Sequence, residues 1–150
     1  MTETILKMQK KVKRYLDKDR YDHTIGVMHT AGCLAMRYGA NLEQALTAGL
    51  LHDCAKCVPA DEKIKLCEKN HIEISDAEYK NPGLLHAKLG AFFARKKYGI
   101  ENEEILDRSS LIQPVVRICL CLIKIIYIAD ILSLEEMLHQ IFRKYVRLHL

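Results

Sequence analysis

The sequence predicts an all-α fold, a compact bundle of about six or seven helices in a single domain. The chain has 150 residues, which is long enough for one domain with a core of its own. It contains only 7 Gly and 3 Pro, and so few helix-breaking residues disfavour a turn-rich β fold. The long apolar segments repeat at helical spacing, and none alternates apolar and polar residues as a half-buried strand does.

The N-terminal part of the chain predicts three helices. Residues 3–18 and 20–38 both place apolar side chains three and four positions apart. Gly39 is a natural stop for the second helix. Asn41 is a natural N-cap for a third helix over residues 42–55. That third segment is apolar almost all round, so we expect it in the core.

The C-terminal part predicts further helices of different lengths. Residues 61–69 match a short helix, and Ser75 begins a capping-box pattern with a glutamate three residues later. A helix is expected over residues 83–97, and another begins at 102–108. Pro114 interrupts the pattern, and a long apolar helix follows it.

The charge of the chain is modest but unevenly distributed. The formal net charge is +4, and residues 1–20 contain seven Lys or Arg against three acids. We interpret these cations as the solvated face of an amphipathic helix. Attraction of an anionic ligand, a nucleic acid or a membrane surface is the alternative. Nucleic-acid binding gains little support, so we expect no nucleic-acid partner.

The most apolar stretch, residues 115–132, favours a buried helix over a membrane span. Arg117, Lys124 and Asp130 interrupt it, whereas a span needs about 20 residues with few or no charges. The first residues also lack the apolar centre of a signal peptide. We therefore expect a cytoplasmic protein without a membrane partner.

The cysteines are expected to be thiols, as in a reducing compartment. Two of them form a single C-x-x-C pair, and a structural zinc site would need two more ligands. A redox motif would require a βαβ context that the helical pattern does not provide. The six cysteines are Cys33, Cys54, Cys57, Cys67, Cys119 and Cys121.

The polar pair His52–Asp53 lies inside the predicted apolar helix 42–55. Burying such a pair is costly unless both groups have partners. A metal ion is one suitable partner, since it replaces the lost water for an imidazole and a carboxylate together. A buried His–Asp hydrogen bond is the alternative, and the dipeptide alone does not decide between the two.

Three more polar residues occur in apolar surroundings. His23, His86 and Asp130 each lie on a different predicted helix. Each alone is explained by a satisfied core side chain or a helix cap. Together with the His–Asp pair they favour one shared explanation, a metal cluster. Imidazole with carboxylate fits iron, manganese or another divalent metal better than a structural zinc site.

The order H…HD…D on helices is the signature of the HD superfamily. The segments RYDHTIGV, AGLLHDCAK, NPGLLHAKLGA and KIIYIAD together resemble the YqeK family of symmetrical diadenosine tetraphosphate hydrolases. The resemblance extends from about residue 10 to residue 106 and resumes at 124–130. It implies an HD-domain helical bundle that cleaves diadenosine tetraphosphate to two ADP.

The resemblance also implies roles for individual residues. His23, His52, Asp53 and Asp130 match the metal ligands, and Asp53 would also orient or deprotonate the attacking water. Asp53 and His86 are therefore the expected catalytic residues. The expected nucleotide- and phosphate-binding residues are His23, Asp53, Lys56, His86 and Asp130.

The same resemblance implies the cofactor and the partners. The cofactor would be a divalent or trivalent metal, with iron first and manganese or magnesium as alternatives. Such a metal acts as a Lewis acid and lowers the pKa of water. The ligand would be a dinucleoside polyphosphate or a nucleoside diphosphate, and a homodimer is a further expectation.

Two segments depart from the family pattern. The family has a histidine in an H-T-T-G motif where this chain reads DRSSLIQPVVRICLCLI, and its C-terminal helices where this chain reads ILSLEEMLHQIFRKYVRLHL. We expect one HD domain over 1–150, truncated or altered after about residue 106 except at 124–130, with weakened hydrolysis. The alternatives are a nucleotide- or metal-binding protein without turnover, an HD phosphohydrolase for other nucleotides, and a purely structural bundle.

Overall fold

The computed structural model describes residues 2–101 and 121–133. These residues form helices joined by turns, without a strand in either described range. The predicted all-α fold is confirmed. The helices are α1 (Glu3–Val12), α2 (Lys18–Tyr38), α3 (Leu42–Leu51), α4 (Ala60–Lys69), α5 (Asp76–Lys80), α6 (His86–Tyr98) and α7 (121–133), with a 3₁₀ turn over Pro82–Leu85 before α6.

Local capping chemistry sets several helix boundaries. The Asp17 side chain accepts a hydrogen bond from the N–H of Arg20 and so caps α2. For this reason the predicted helix 3–18 was too long: α1 ends at Val12, and α2 begins before residue 20. Asn41 caps α3, as predicted. Gly39 ends α2 with a φ of 70°, a conformation that glycine adopts without strain.

The predicted helix 83–97 is confirmed in position but begins differently. Pro82 opens a 3₁₀ turn, and α6 proper starts at His86. The Asn81 side chain accepts from the N–H of Gly83, so it stabilises this tight turn. Residues 121–133 are helical, in agreement with the long apolar helix predicted after Pro114. The helix predicted over 102–108 lies outside the described residues.

Two hydrophobic clusters share the helices α2 and α3. The first joins them to α1 and α6 through side chains such as Ile5, Leu50 and Leu89. The second joins them to α7, which contributes Leu122, Ile125, Ile126 and Ala129. This spacing marks one apolar face of a helix. Because α7 packs on α2 and α3, the next residue, Asp130, is brought toward both of them.

Gly49 permits the close approach of α3 to α2. A Cβ at this position would lie 2.8 Å from Met28 Cα and 3.2 Å from Met28 N. Those atoms belong to the backbone of α2 and cannot rotate away, so a side chain would push the helices apart. The glycine thus sets the spacing between α2, which carries His23, and α3, which His52 directly follows.

The described cysteines, Cys33, Cys54, Cys57, Cys67 and Cys121, are free thiols. The Cys54 thiol is buried and lies 3.6 Å from the carbonyl of Gly90, and burial raises its pKa to about 12.

Within the described ranges, no helix combines the length and apolar character needed to cross a membrane.

Candidate metal and phosphate site

His23 and Asp130 meet at the contact between α2 and α7. The His23 side chain is almost fully buried, and its Nε2 lies 3.0 Å from Asp130 Oδ1. Ser133, near the end of the described part of α7, donates a hydrogen bond to the His23 carbonyl at 3.2 Å. The side-chain hydrogen bond from His23 holds the pKa of Asp130 well below its usual range, so Asp130 is a carboxylate at neutral pH.

His52 lies just after the end of α3, so the predicted helix 42–55 was wrong in its last turn. The helix ends at Leu51, and residues 52–57 form tight turns. The His52 Nδ1 is 2.7 Å from the carbonyl of Gly49. In a continuing helix that carbonyl would accept from the N–H of residue 53. The imidazole thus competes with the backbone pattern, which provides a physical reason for the early end.

The His52 tautomer follows from this hydrogen bond. A carbonyl can only accept, so Nδ1 donates to it, and in the neutral imidazole the lone pair is then on Nε2. The ring is 1% exposed, and Nε2 is buried without a hydrogen-bond partner. It lies 3.5 Å from Asp130 Oδ1. A buried lone pair directed at a carboxylate is unfavourable unless a cation is shared.

His23, His52 and Asp130 form a group suited to a metal ion. Each offers one ligand atom, and these atoms lie within 4.8 Å of one another. The group also contains a second buried atom without a hydrogen-bond partner, His23 Nδ1. Two imidazoles and one carboxylate are ligands that borderline and hard divalent metals accept. The residues present therefore fit a divalent metal.

Asp53 borders this three-residue group without belonging to it. Its Oδ2 lies 3.6 Å from His52 Nε2 and 3.0 Å from Arg20 Nη1. Its other oxygen, Oδ1, lies 3.7 Å from His86 Nε2 and 4.0 Å from Lys56 Nζ. The carboxylate is nearly buried, at 8% exposure. Asp53 thus connects the metal-type ligands with a second group of nitrogen-bearing side chains.

That second group contains Lys56 and His86, which are more exposed than the histidines of the first. Lys56 Nζ is 3.4 Å from His86 Nε2, and His86 Nδ1 is 2.6 Å from the carbonyl of Gly83. Burial lowers the pKa of His86. His86 is therefore neutral at neutral pH, with its lone pair on Nε2, and Lys56 carries the positive charge beside it.

Arg20 is the residue of the site to which the sequence reasoning assigned no role. It lies one helical turn before His23, on the same face of α2. A signal was present, since RYDHTIGV begins with this arginine. Its partner Asp53 is 33 residues away in the chain, and helical periodicity contains no information about that contact.

The structure brings all the named candidate residues into one neighbourhood. His23, His52 and Asp130 meet directly, Asp53 lies beside them, and Lys56 and His86 lie beyond Asp53. Whether a second histidine faces His86 from the C-terminal part, as His139 or His149 would, falls outside the described residues. We also expect weak packing over residues 107–122, because Pro114 and Arg117 interrupt the apolar run. Residues 107–120 lie outside the described part of the chain, whereas Leu122 is buried.

A helical bundle that gathers histidines and aspartates from successive helices defines a class of proteins. The HD domain family model matches residues 20–135, and this chain belongs to that family. The match includes every residue of the site described above. Family membership and the His–Asp group together support divalent metal binding.

Within that class the chain is similar to symmetrical bis(5'-nucleosyl)-tetraphosphatases. It is 36% identical over 119 residues to the one from Bacillus subtilis (strain 168), a match that covers 79% of this chain and 63% of the relative. It is 41% identical over 96 residues to the one from Halalkalibacterium halodurans, covering 64% and 51%. The aligned parts thus span between half and two thirds of these relatives' length.

A solved structure supports the same fold. A predicted HD superfamily hydrolase involved in NAD metabolism, from Clostridium acetobutylicum, superimposes with a TM-score of 0.73 at 38% sequence identity. The similarity covers 83% of this chain and 66% of that one. The name of this protein places it in the HD superfamily and refers to NAD metabolism, whereas the names of the two relatives above refer to a bis(5'-nucleosyl) tetraphosphate.

Proposed function

We propose that this chain is a metal-dependent phosphohydrolase that cleaves diadenosine tetraphosphate symmetrically to two ADP. The observation that carries the proposal is the division of the site at Asp53. On one side lie the two buried imidazoles of His23 and His52 and the partly exposed carboxylate of Asp130, a group suited to a cation. On the other side lie Lys56 and His86, which suit a phosphate chain.

In this proposal His23, His52 and Asp130 hold the metal, with Asp53 as a further ligand. Iron is the first choice, and manganese or magnesium are the alternatives. When bound, the metal would polarise a phosphoryl oxygen and lower the pKa of water. The Gly49 carbonyl keeps the His52 lone pair on Nε2, as a backbone acceptor commonly does for a ligating histidine.

Asp53 and His86 are the proposed catalytic residues. Asp53 orients the attacking water and takes its proton, because its carboxylate lies between the ligand group and the phosphate side. Lys56 offsets charge on the phosphates. His86 is neutral before phosphate arrives. Its Nε2 can accept a proton, so a phosphate nearby would favour the charged, donating form. His23 and Asp130 would also border the bound nucleotide.

The substrate class rests on relatives. Two relatives named symmetrical bis(5'-nucleosyl)-tetraphosphatase share 36% and 41% identity with this chain. The name of these relatives describes symmetrical cleavage of a tetraphosphate, which is the hydrolysis of a phosphoanhydride bond. Lys56 and His86 of this chain suit the phosphates of such a substrate. We therefore infer a dinucleoside polyphosphate substrate and a nucleoside diphosphate product.

Three finer features belong to the same proposal. Residues 1–150 form one HD domain, an inference supported by the family match over 20–135. A nucleotide substrate and six cysteines suit a reducing cytoplasm. The chain acts on a nucleotide without a nucleic-acid or membrane partner, and a homodimer is the proposed assembly.

The test combines metal analysis with product analysis. Purified protein is assayed for bound metals, reloaded separately with Fe²⁺, Mn²⁺ or Mg²⁺, and incubated with diadenosine tetraphosphate. Two ADP per substrate support the proposal, whereas AMP with ATP would contradict symmetrical cleavage. Metal and nucleotide binding without turnover would identify a binding protein. Preferential release of phosphate from nucleoside mono- or diphosphates would identify a different HD phosphohydrolase, and absence of metal would leave a structural bundle.

A further inference from the structure

We propose that Arg20 is an additional phosphate-binding residue, which Asp53 holds until a metal ion takes over that carboxylate. The inference deepens the proposed function and rests on it for the nature of the substrate. The key atom is Asp53 Oδ2. It accepts a hydrogen bond from Arg20 Nη1 at 3.0 Å and lies 3.6 Å from His52 Nε2.

Arg20 and the metal compete for this one oxygen. His52 Nε2 is buried without a hydrogen-bond partner, so a cation bound there would also attract Asp53 Oδ2. The guanidinium already neutralises the carboxylate and opposes a second positive charge nearby. Metal binding must therefore weaken the contact between Arg20 and Asp53.

A released Arg20 has a suitable place to bind an anion. Its side chain is about one third exposed, at 31%, whereas Asp53 is 8% and His52 1% exposed. Lys56 approaches the other oxygen of Asp53. Two cations thus flank a single carboxylate from opposite oxygens, and one positive charge is left for a further anion. The planar fork of arginine matches phosphate oxygens in pairs.

The backbone at Arg20 is held while the side chain remains adjustable. Asp17 accepts from the Arg20 N–H at 2.8 Å, and its other oxygen lies 3.2 Å from the thiol of Cys57. Asp17 therefore links the start of α2 to the turn that follows the His52–Asp53 pair. The guanidinium can change partners without a shift of the metal ligand His23 on the same helix.

The test measures metal and nucleotide binding separately in Arg20→Gln, with Mn²⁺ and ADP as the probes. We expect Mn²⁺ to bind about tenfold more tightly, since loss of one charge-assisted hydrogen bond frees Asp53. ADP, titrated at saturating Mn²⁺, should bind about tenfold more weakly. Arg20→Lys keeps the charge without the fork, so its Mn²⁺ affinity should stay near that of the parent while ADP binding weakens.

Arg37→Gln is the matched control, because Arg37 lies exposed at the other end of α2. It should change neither affinity. Weaker binding of both probes in Arg20→Gln, with a lower melting temperature, would indicate a structural role and overturn the proposal. Unchanged ADP binding would overturn it as well. Both titrations work without turnover, so a failure to hydrolyse diadenosine tetraphosphate would contradict the proposed function without changing the binding result for Arg20.

Discussion

The two sides of Asp53 differ in burial, charge and chemical state. On one side, His23 and His52 are almost fully buried, and their ring nitrogens face the carboxylate of Asp130. On the other side, Lys56 and His86 are partly exposed, with 38% and 24% of their side chains accessible. The first side combines two buried imidazoles with the partly exposed Asp130 carboxylate, and the second side combines the Lys56 cation with the neutral His86 imidazole.

This difference separates metal binding from phosphate binding, although residues of one short sequence motif contribute to both. Asp53 and Lys56 lie on the same tight turn after α3, and their side chains belong to different sides of the site. Exclusion of water strengthens the attraction between a cation and its ligands. A phosphate chain must enter from solvent, so its partners need access. If this division is correct, substitutions on the two sides should have different signatures.

Loss of a buried ligand should have the largest effect. His23→Ala removes one of the three atoms that lie within 4.8 Å of one another. We expect loss of bound metal and a fall in hydrolysis of about 10³-fold, since a bound metal contributes several kcal/mol to transition-state stabilisation. Elemental analysis and an ADP-release assay measure the two effects.

His29→Ala provides a matched control for this substitution. It removes the same ring from the same helix, α2, at an exposed position. Metal content and activity should both equal those of the parent. If His23→Ala keeps its full metal content, His23 is not a metal ligand, and the assignment of metal binding to this side of Asp53 is wrong.

On the exposed side, Lys56→Ala should lower activity without loss of metal. Lys56 Nζ lies 4.0 Å from Asp53 Oδ1 and 3.4 Å from His86 Nε2. Removal of a single oxyanion-hole donor costs about 10²–10³ in rate, and we take this value by analogy for Lys56. We expect a loss of this size in kcat/KM at parental metal content. As a control, Lys65→Ala removes an exposed lysine from α4 and should leave kcat/KM unchanged. Loss of metal in Lys56→Ala would show that metal binding and phosphate binding are not separated at Asp53.

The segments after residue 106, which the family resemblance implies are altered, define a third expected difference. The chain lacks the H-T-T-G histidine that its family resemblance implies on the phosphate side. We therefore expect hydrolysis about 10²-fold below that of the Bacillus subtilis relative, by analogy with loss of a single stabiliser. The two proteins are to be assayed side by side with matched metal content. Equal turnover would show that the altered segments are dispensable.

The sequence predicted the fold class and the candidate ligands for physical reasons that can be stated. Helical periodicity identifies apolar faces directly, so the helices α2 and α4 were predicted to within two residues. His23 and Asp130 stand out because polar side chains are rare in apolar surroundings. Whether their side chains meet depends on how α7 packs on α2. Helical periodicity does not predict that packing, and only the family resemblance implied that both residues bind one metal.

The sequence could not predict contacts of a side chain with a nearby carbonyl or with a side chain distant in the sequence, nor the burial of individual groups. The end of α3 depends on the ring of His52 reaching the Gly49 carbonyl. The role of Arg20 depends on a contact across 33 residues. The neutral state of His86 depends on its burial in the folded chain. Each of these is a property of the packed molecule.

The smallest expected effect concerns two glycines next to the site. Gly49→Ala would place a Cβ 2.8 Å from the backbone of α2, whereas Gly90→Ala would place one 3.9 Å from Cys54 Sγ, an ordinary contact. Overpacking costs about 1–3 kcal/mol, and a helical Gly→Ala change can contribute up to about 1 kcal/mol of stability. We expect opposite shifts in melting temperature, each of a few degrees. Because Gly49 spaces α2 from α3, Gly49→Ala should also weaken Mn²⁺ binding, whereas Gly90→Ala should not. Thermal melts and Mn²⁺ titrations of both variants decide this, and a stabilised Gly49→Ala would mean that helix spacing does not determine the geometry of the buried side.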